Sequence, residues 1–127
     1  MTQPARHLFI ITLILLLAAA TRITNVGSWP VWTDEGWSIW ATDDARLDVV
    51  LDNLAHDRHP PLYFVALRGW RSLAGDSPLA LRYLSIAAGI LTVAAAYRVG
   101  ADVFGRRAGK YAALVLAVLP VAVYYSQ

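Results

Sequence analysis

Three long apolar runs are separated first by a polar stretch and then by a basic one. Residues 8–20 are apolar except for Thr12. Carried on to residue 26, this run is about 19 residues long, close to the roughly 20 that a bilayer-crossing helix needs. Its first part, closing on Ala18-Ala19-Ala20, also fits a secretory signal with its cleavage site, but its length favours a spanning helix. Residues 79–99 form a second run, interrupted by Arg82, Ser85, Thr92 and Arg98. Both arginines lie near its ends, where their stems can reach the interface. Residues 109–127 carry a third run, interrupted by Pro120, which predicts a kinked span.

The stretch between the first two runs has helical periods of its own. Residues 34–41 read as a short helix with Trp37 and Trp40 on one face. Thr42-Asp43-Asp44 is a start signal for another, in which Leu47, Val50, Leu51 and Leu54 make an apolar stripe. Pro60 and Pro61 open a third, over residues 62–74, with Tyr63, Ala66, Leu67, Trp70 and Leu73 on its apolar face. It is too short and too charged to cross a membrane. Gly75 and Pro78 end it, and residues 100–110 read as a polar loop. The expected fold is therefore all-α and integral to a membrane. It has three transmembrane helices at about 8–26, 79–99 and 109–127, and a loop of amphipathic juxtamembrane helices over about 27–78.

Composition supports the membrane reading. Of 127 residues, 57% are hydrophobic and 16% charged, against roughly 45–50% and about 25% in soluble domains. A net charge of +2 without a basic stripe gives no footprint for nucleic acid. With no cysteine, there is no disulfide, thiol nucleophile or cysteine metal site. Arg98, Arg106, Arg107 and Lys110 gather between the second and third runs, which assigns that loop to the cytoplasm. The N-terminus is then cytoplasmic too, and residues 27–78 face outside. The arginines in that outer loop have acids nearby to pair with.

The candidate chemistry lies in the outer loop. Asp34 and Glu35 are adjacent just past a helix end, where a carboxylate would be partly desolvated and usable as a general base. Two other roles compete: oxygen ligation of a divalent cation, and simple capping of the following helix by Asp34. His56 and His59 have a zinc-compatible spacing, but Pro60 disfavours helix there and no third ligand is evident, so no metal or cofactor is assigned. Arg22, embedded near the outer end of the first span, is either a snorkelling residue or a partner for an acid or a phosphate.

Taken in order, several motifs resemble a known family. They are Arg22, Trp32-Thr33-Asp34-Glu35, His59-Pro60-Pro61-Leu62-Tyr63, Leu81-Arg82, Phe104-Gly105-Arg106-Arg107 and Tyr124-Tyr125-Ser126-Gln127. The ordered set is similar to the N-terminal part of the C-type (GT-C) membrane glycosyltransferases. The nearest group is the family 39 enzymes related to protein O-mannosyltransferases and the aminoarabinose transferase. The resemblance implies an enzyme of the bacterial inner membrane that moves a sugar from a polyprenyl-phosphate donor to an acceptor on the outer side. Asp34 would be the base, with Glu35 orienting it or holding a cation. Arg22, Arg58, His59 and Tyr63 are the candidates for substrate contact. The chain is expected to be a portion of a larger polytopic fold, inactive without the remaining transmembrane segments. The alternative is a non-catalytic small membrane protein or truncated relic whose outer loop binds a lipid or a partner.

Overall fold

The computed structural model describes residues 3–24, 26–27, 30–43, 46–55 and 60–126. All regular elements among them are helices: α1 (Gln3–Ile23), α2 (Thr33–Ala41), α3 (Leu47–Ala55), α4 (Pro61–Ala74), α5 (Pro78–Phe104), α6 (Arg106–Val118) and α7 (Pro120–Tyr124). They form two units, one of residues 1–26 with 85–127, the other of residues 27–84. Residues 78–84 of α5 belong to the second unit and the rest of α5 to the first.

Two helices are long and apolar enough to cross a bilayer, Ala5–Ile23 within α1 and Pro78–Phe104. The third expected span is two shorter helices, because Leu119 is extended (φ −63°, ψ 117°) ahead of Pro120. The expected polar loop over 100–110 is absent as well. The second helix runs on to Phe104, and Gly105 alone, at φ 88°, turns the chain into α6. That left-handed backbone suits glycine. Gly100 and Gly109, which looked like loop residues, instead let the two helices touch. A Cβ on Gly109 would come within 2.5 Å of the Tyr97 carbonyl oxygen, and one on Gly100 within 2.9 Å of the Gly109 Cα. Small residues of this kind are how helices approach closely in lipid.

In the first unit, Ile14, Ala18, Val93, Ala113 and Ala117 make the buried contact between α1, α5 and α6. The break before Pro120 would leave helix carbonyls open, since proline has no N–H and the next residue is out of register. Arg22 and Thr21 fill that gap. The Arg22 guanidinium donates to the carbonyls of Leu116 and Ala117, each at 3.2 Å, and the Thr21 hydroxyl donates to Ala117 at 3.0 Å. Arg22 also bonds the Ala18 carbonyl of its own helix, one turn back. Space for it comes from Gly89, where a Cβ would lie 2.7 Å from the Arg22 Nε.

In the second unit, Ala41, Val50, Leu54 and Phe64 form a small core, with Trp37 edge-on to Phe64 at 5.3 Å. Removing each large side chain from water is worth about 1.5–3 kcal/mol. Only half of the stripe expected on α3 points inward: Val50 and Leu54 are buried, and Leu47 and Leu51 exposed. On α4 the buried face differs from the expected one. Phe64 and Leu67 are buried, whereas Tyr63 and Leu73 are exposed. Arg71, four residues after Leu67, lies on that same face, its side chain 8% exposed.

Candidate functional site

Arg71 is fixed at the end of α2. Its guanidinium donates to the Ile39 carbonyl and the Thr42 hydroxyl, both at 2.8 Å, to Asp43 at 2.7 Å and to Asp76 at 2.6 Å. A cation suits the C-terminal end of a helix, where carbonyls are open. Burial works against its charge, but Asp76 and Asp43 outweigh that and hold Arg71 above the usual arginine range. It therefore stays charged at any physiological pH.

The other end of α2 holds the acidic pair. Trp32 is the N-cap residue, so Asp34 and Glu35 both lie in the first turn, where carboxylates suit the positive helix end. Asp34 is therefore not the cap. The N–H of Trp32 donates to the Glu35 carboxylate at 3.3 Å, which is the glutamate half of a capping box. The same carboxylate receives a two-pronged bond from Arg82, Nε to Oε1 at 2.6 Å and Nη2 to Oε2 at 2.8 Å. The Arg82 side chain is only 6% exposed and that of Glu35 only 23%. Arg82 also donates to the Pro30 carbonyl. It is a tie to α2 rather than a snorkelling residue.

Asp34 differs from its neighbour. It is exposed, not half-buried as expected, and among the described residues its carboxylate has no hydrogen bond or ion pair. Only its backbone carbonyl is used, by the Ser38 hydroxyl at 2.9 Å. The first turn of α2 therefore has one carboxylate committed to an arginine and one open to solvent.

The other candidates fall in different places. Tyr63 is exposed on the first turn of α4, edge-on to Phe64 at 5.3 Å. Arg22 belongs to the first unit, bonded to the carbonyls at the α6 break. Arg58 and His59, like His56, lie outside the described residues. Among the described residues no three histidine, aspartate or glutamate side chains converge as metal ligands. Arg82 and Arg71 were missed as partners of α2. The one usable signal was that Glu35 is the chain's single glutamate, the longer acid at an N3 position, with an arginine at the start of the next long helix.

Two long apolar helices fit a membrane protein as a class. The chain belongs to the dolichyl-phosphate-mannose-protein mannosyltransferase family, whose model matches residues 58–127. The matched segment includes Arg58, His59 and Tyr63, and Asp34 precedes it. No curated protein and no solved structure matches the chain significantly. The family and the two apolar helices make this a membrane protein of glycosyltransferase type.

Proposed function

We propose that the chain serves the transfer of a hexose or pentose from a polyprenyl-phosphate donor to an acceptor hydroxyl on the outer side of the membrane. Asp34 is the general base. It takes the proton as the hydroxyl oxygen bonds to the anomeric carbon and the carbon–oxygen bond to the lipid phosphate breaks. A single displacement of this kind inverts the anomeric centre. Glu35, held by Arg82, keeps the first turn of α2 in position. Arg58, His59 and Tyr63 are the candidates for holding the donor's sugar and phosphate, whereas Arg22, the other candidate from the sequence, is buried and taken up by the carbonyls at the α6 break. The lipid-linked donor is supported by the family's own description. The observation that carries the reading is the contrast within the acidic pair: Glu35 is bonded to Arg82, and the Asp34 carboxylate is open to a substrate.

The test is the protein in its native membrane, supplied with a labelled polyprenyl-phosphate sugar. Asp34→Asn is expected to lower turnover by about 10²–10⁴-fold, the usual cost of losing a general base. Glu35→Gln should weaken the protein first, by loosening α2. Wild-type turnover in Asp34→Asn would sink the assignment. The basic cluster at residues 98–110 supports a sidedness with Asp34 outside and Arg106 in the cytoplasm, and the resemblance to the bacterial enzymes supports an inner membrane. The chain has no cysteine of its own, so single cysteines at 34 and 106 report cleanly. An impermeant thiol reagent should label position 34 in intact cells, and labelling of 106 alone would reverse the topology.

A further inference from the structure

A groove of about 460 Å³ runs between α1 and α6, both in the unit of residues 1–26 and 85–127. That volume falls in the roughly 300–1,000 Å³ range of ligand clefts. Ile10, Leu13 and Leu17 form one wall, and Tyr111 and Leu114 the other. Arg107 and Lys110 line it as well, from the first two turns of α6. On each helix the lining residues recur at three- and four-residue steps, so each helix gives one continuous face. The α1 and α6 helices run parallel. Their C-terminal ends meet where Arg22 reaches Leu116 and Ala117, so the basic residues lie toward the N-terminal end of α1.

The charge in the groove is uncompensated. Neither Arg107 nor Lys110 has an ion pair or side-chain hydrogen bond among the described residues, in contrast to Arg98, which is paired with Asp102. The first turn of α6 has no acid, although a helix N-terminus favours negative charge. The lower walls are apolar and belong to a membrane protein, so water is not their partner. Cations at one end of an apolar channel between helices match a lipid with an anionic head. On the cytoplasmic side, basic pockets between membrane helices take such headgroups.

The geometry points to a binding site for an anionic phospholipid in the α1–α6 groove, its phosphate on Arg107 and Lys110 and an acyl chain along Leu13, Leu17 and Leu114. This site is separate from the transfer chemistry proposed for Asp34. Native mass spectrometry of the full chain, in detergent micelles doped with phosphatidylglycerol or with phosphatidylcholine, tests it. At least tenfold more retained phosphatidylglycerol than phosphatidylcholine is expected. The double variant Arg107→Gln/Lys110→Gln should lose that preference, and Arg106→Gln, outside the groove, should keep it. Leu114→Trp, which fills the channel and leaves the charges in place, should also lose the lipid. This last variant decides the matter even if the double variant fails to fold. Equal retention of both lipids, a preference that survives the double variant, loss of preference in Arg106→Gln, or undiminished binding by Leu114→Trp would each overturn the site.

Discussion

The helices of residues 1–26 and 85–127 meet through alanine and glycine, whereas those of residues 27–84 meet through arginine and acid. The first unit places Ala18, Ala113 and Ala117 in its contact and brings Gly100 onto Gly109. Lipid gives apolar helices no reason to leave it for one another, so their association depends on close approach. Among the described residues the second unit has three short helices, α2 to α4, each too small to be stable alone, together with the first turns of α5. A small apolar core holds them, with Arg71 at one end of α2 and Arg82 at the other. The arginines of the two units have different tasks. The bonds from Arg22 to Leu116 and Ala117 repair a broken helix, and those from Arg82 and Arg71 orient an intact one.

The sharpest way to break this comparison is to remove the tie at Glu35. Truncating one partner of a buried ion pair costs about 3–5 kcal/mol. Because Glu35 retains some contact with water, Arg82→Met should fall near the lower end, at about 3 kcal/mol. Amide exchange of residues 33–41 should accelerate with it. Unchanged protection there would mean that the apolar core alone holds α2. Arg22→Met should cost less, about 2 kcal/mol, within the range for leaving buried acceptors without a donor. The Thr21 hydroxyl still bonds the Ala117 carbonyl, so of the two carbonyls that Arg22 bonds at the break only Leu116 loses its side-chain donor. Exchange should rise at residues 116–124, and a larger loss than for Arg82→Met would reverse the ranking. The smallest effect is expected at Arg46. Its hydrogen bond holds Asp48 below the usual carboxylate range, but both side chains are exposed. A lowered carboxylate stabilises above its ordinary pKa and ceases to as pH falls through the lowered value. For so exposed a pair, neither Arg46→Ala nor mild acid should move Tm, and a shift of several degrees would show that surface pairs carry this unit too.

Sequence patterns gave most of the helices because their limits are local. Pro61, Gly75, Pro78 and Pro120 each act within a few residues, and the start and end of α4 follow directly from them. The α5–α6 turn was misread because glycines and charges together resemble a loop. Gly100 and Gly109 are there for a neighbouring helix, which a linear pattern does not reveal. The buried face of α4 was misassigned for a related reason. Arg71 counts as polar in a period, yet four partners make its burial favourable. The acidic pair was legible as a site, but not the division of labour within it. That depends on Arg82, which is 47 positions away from Glu35, and no spacing rule connects them.

The single-residue turn at Gly105 also constrains how the protein is made. One residue reaches at most about 3.6 Å. The start of α6 therefore cannot lie at a distance from the end of α5, and the two form together as one helical hairpin. Arg106, Arg107 and Lys110 follow the turn at once, and together with Arg98 they gather positive charge at the bend of that hairpin. Lengthening the turn would uncouple the two helices and leave the glycine face of α5 open to another neighbour.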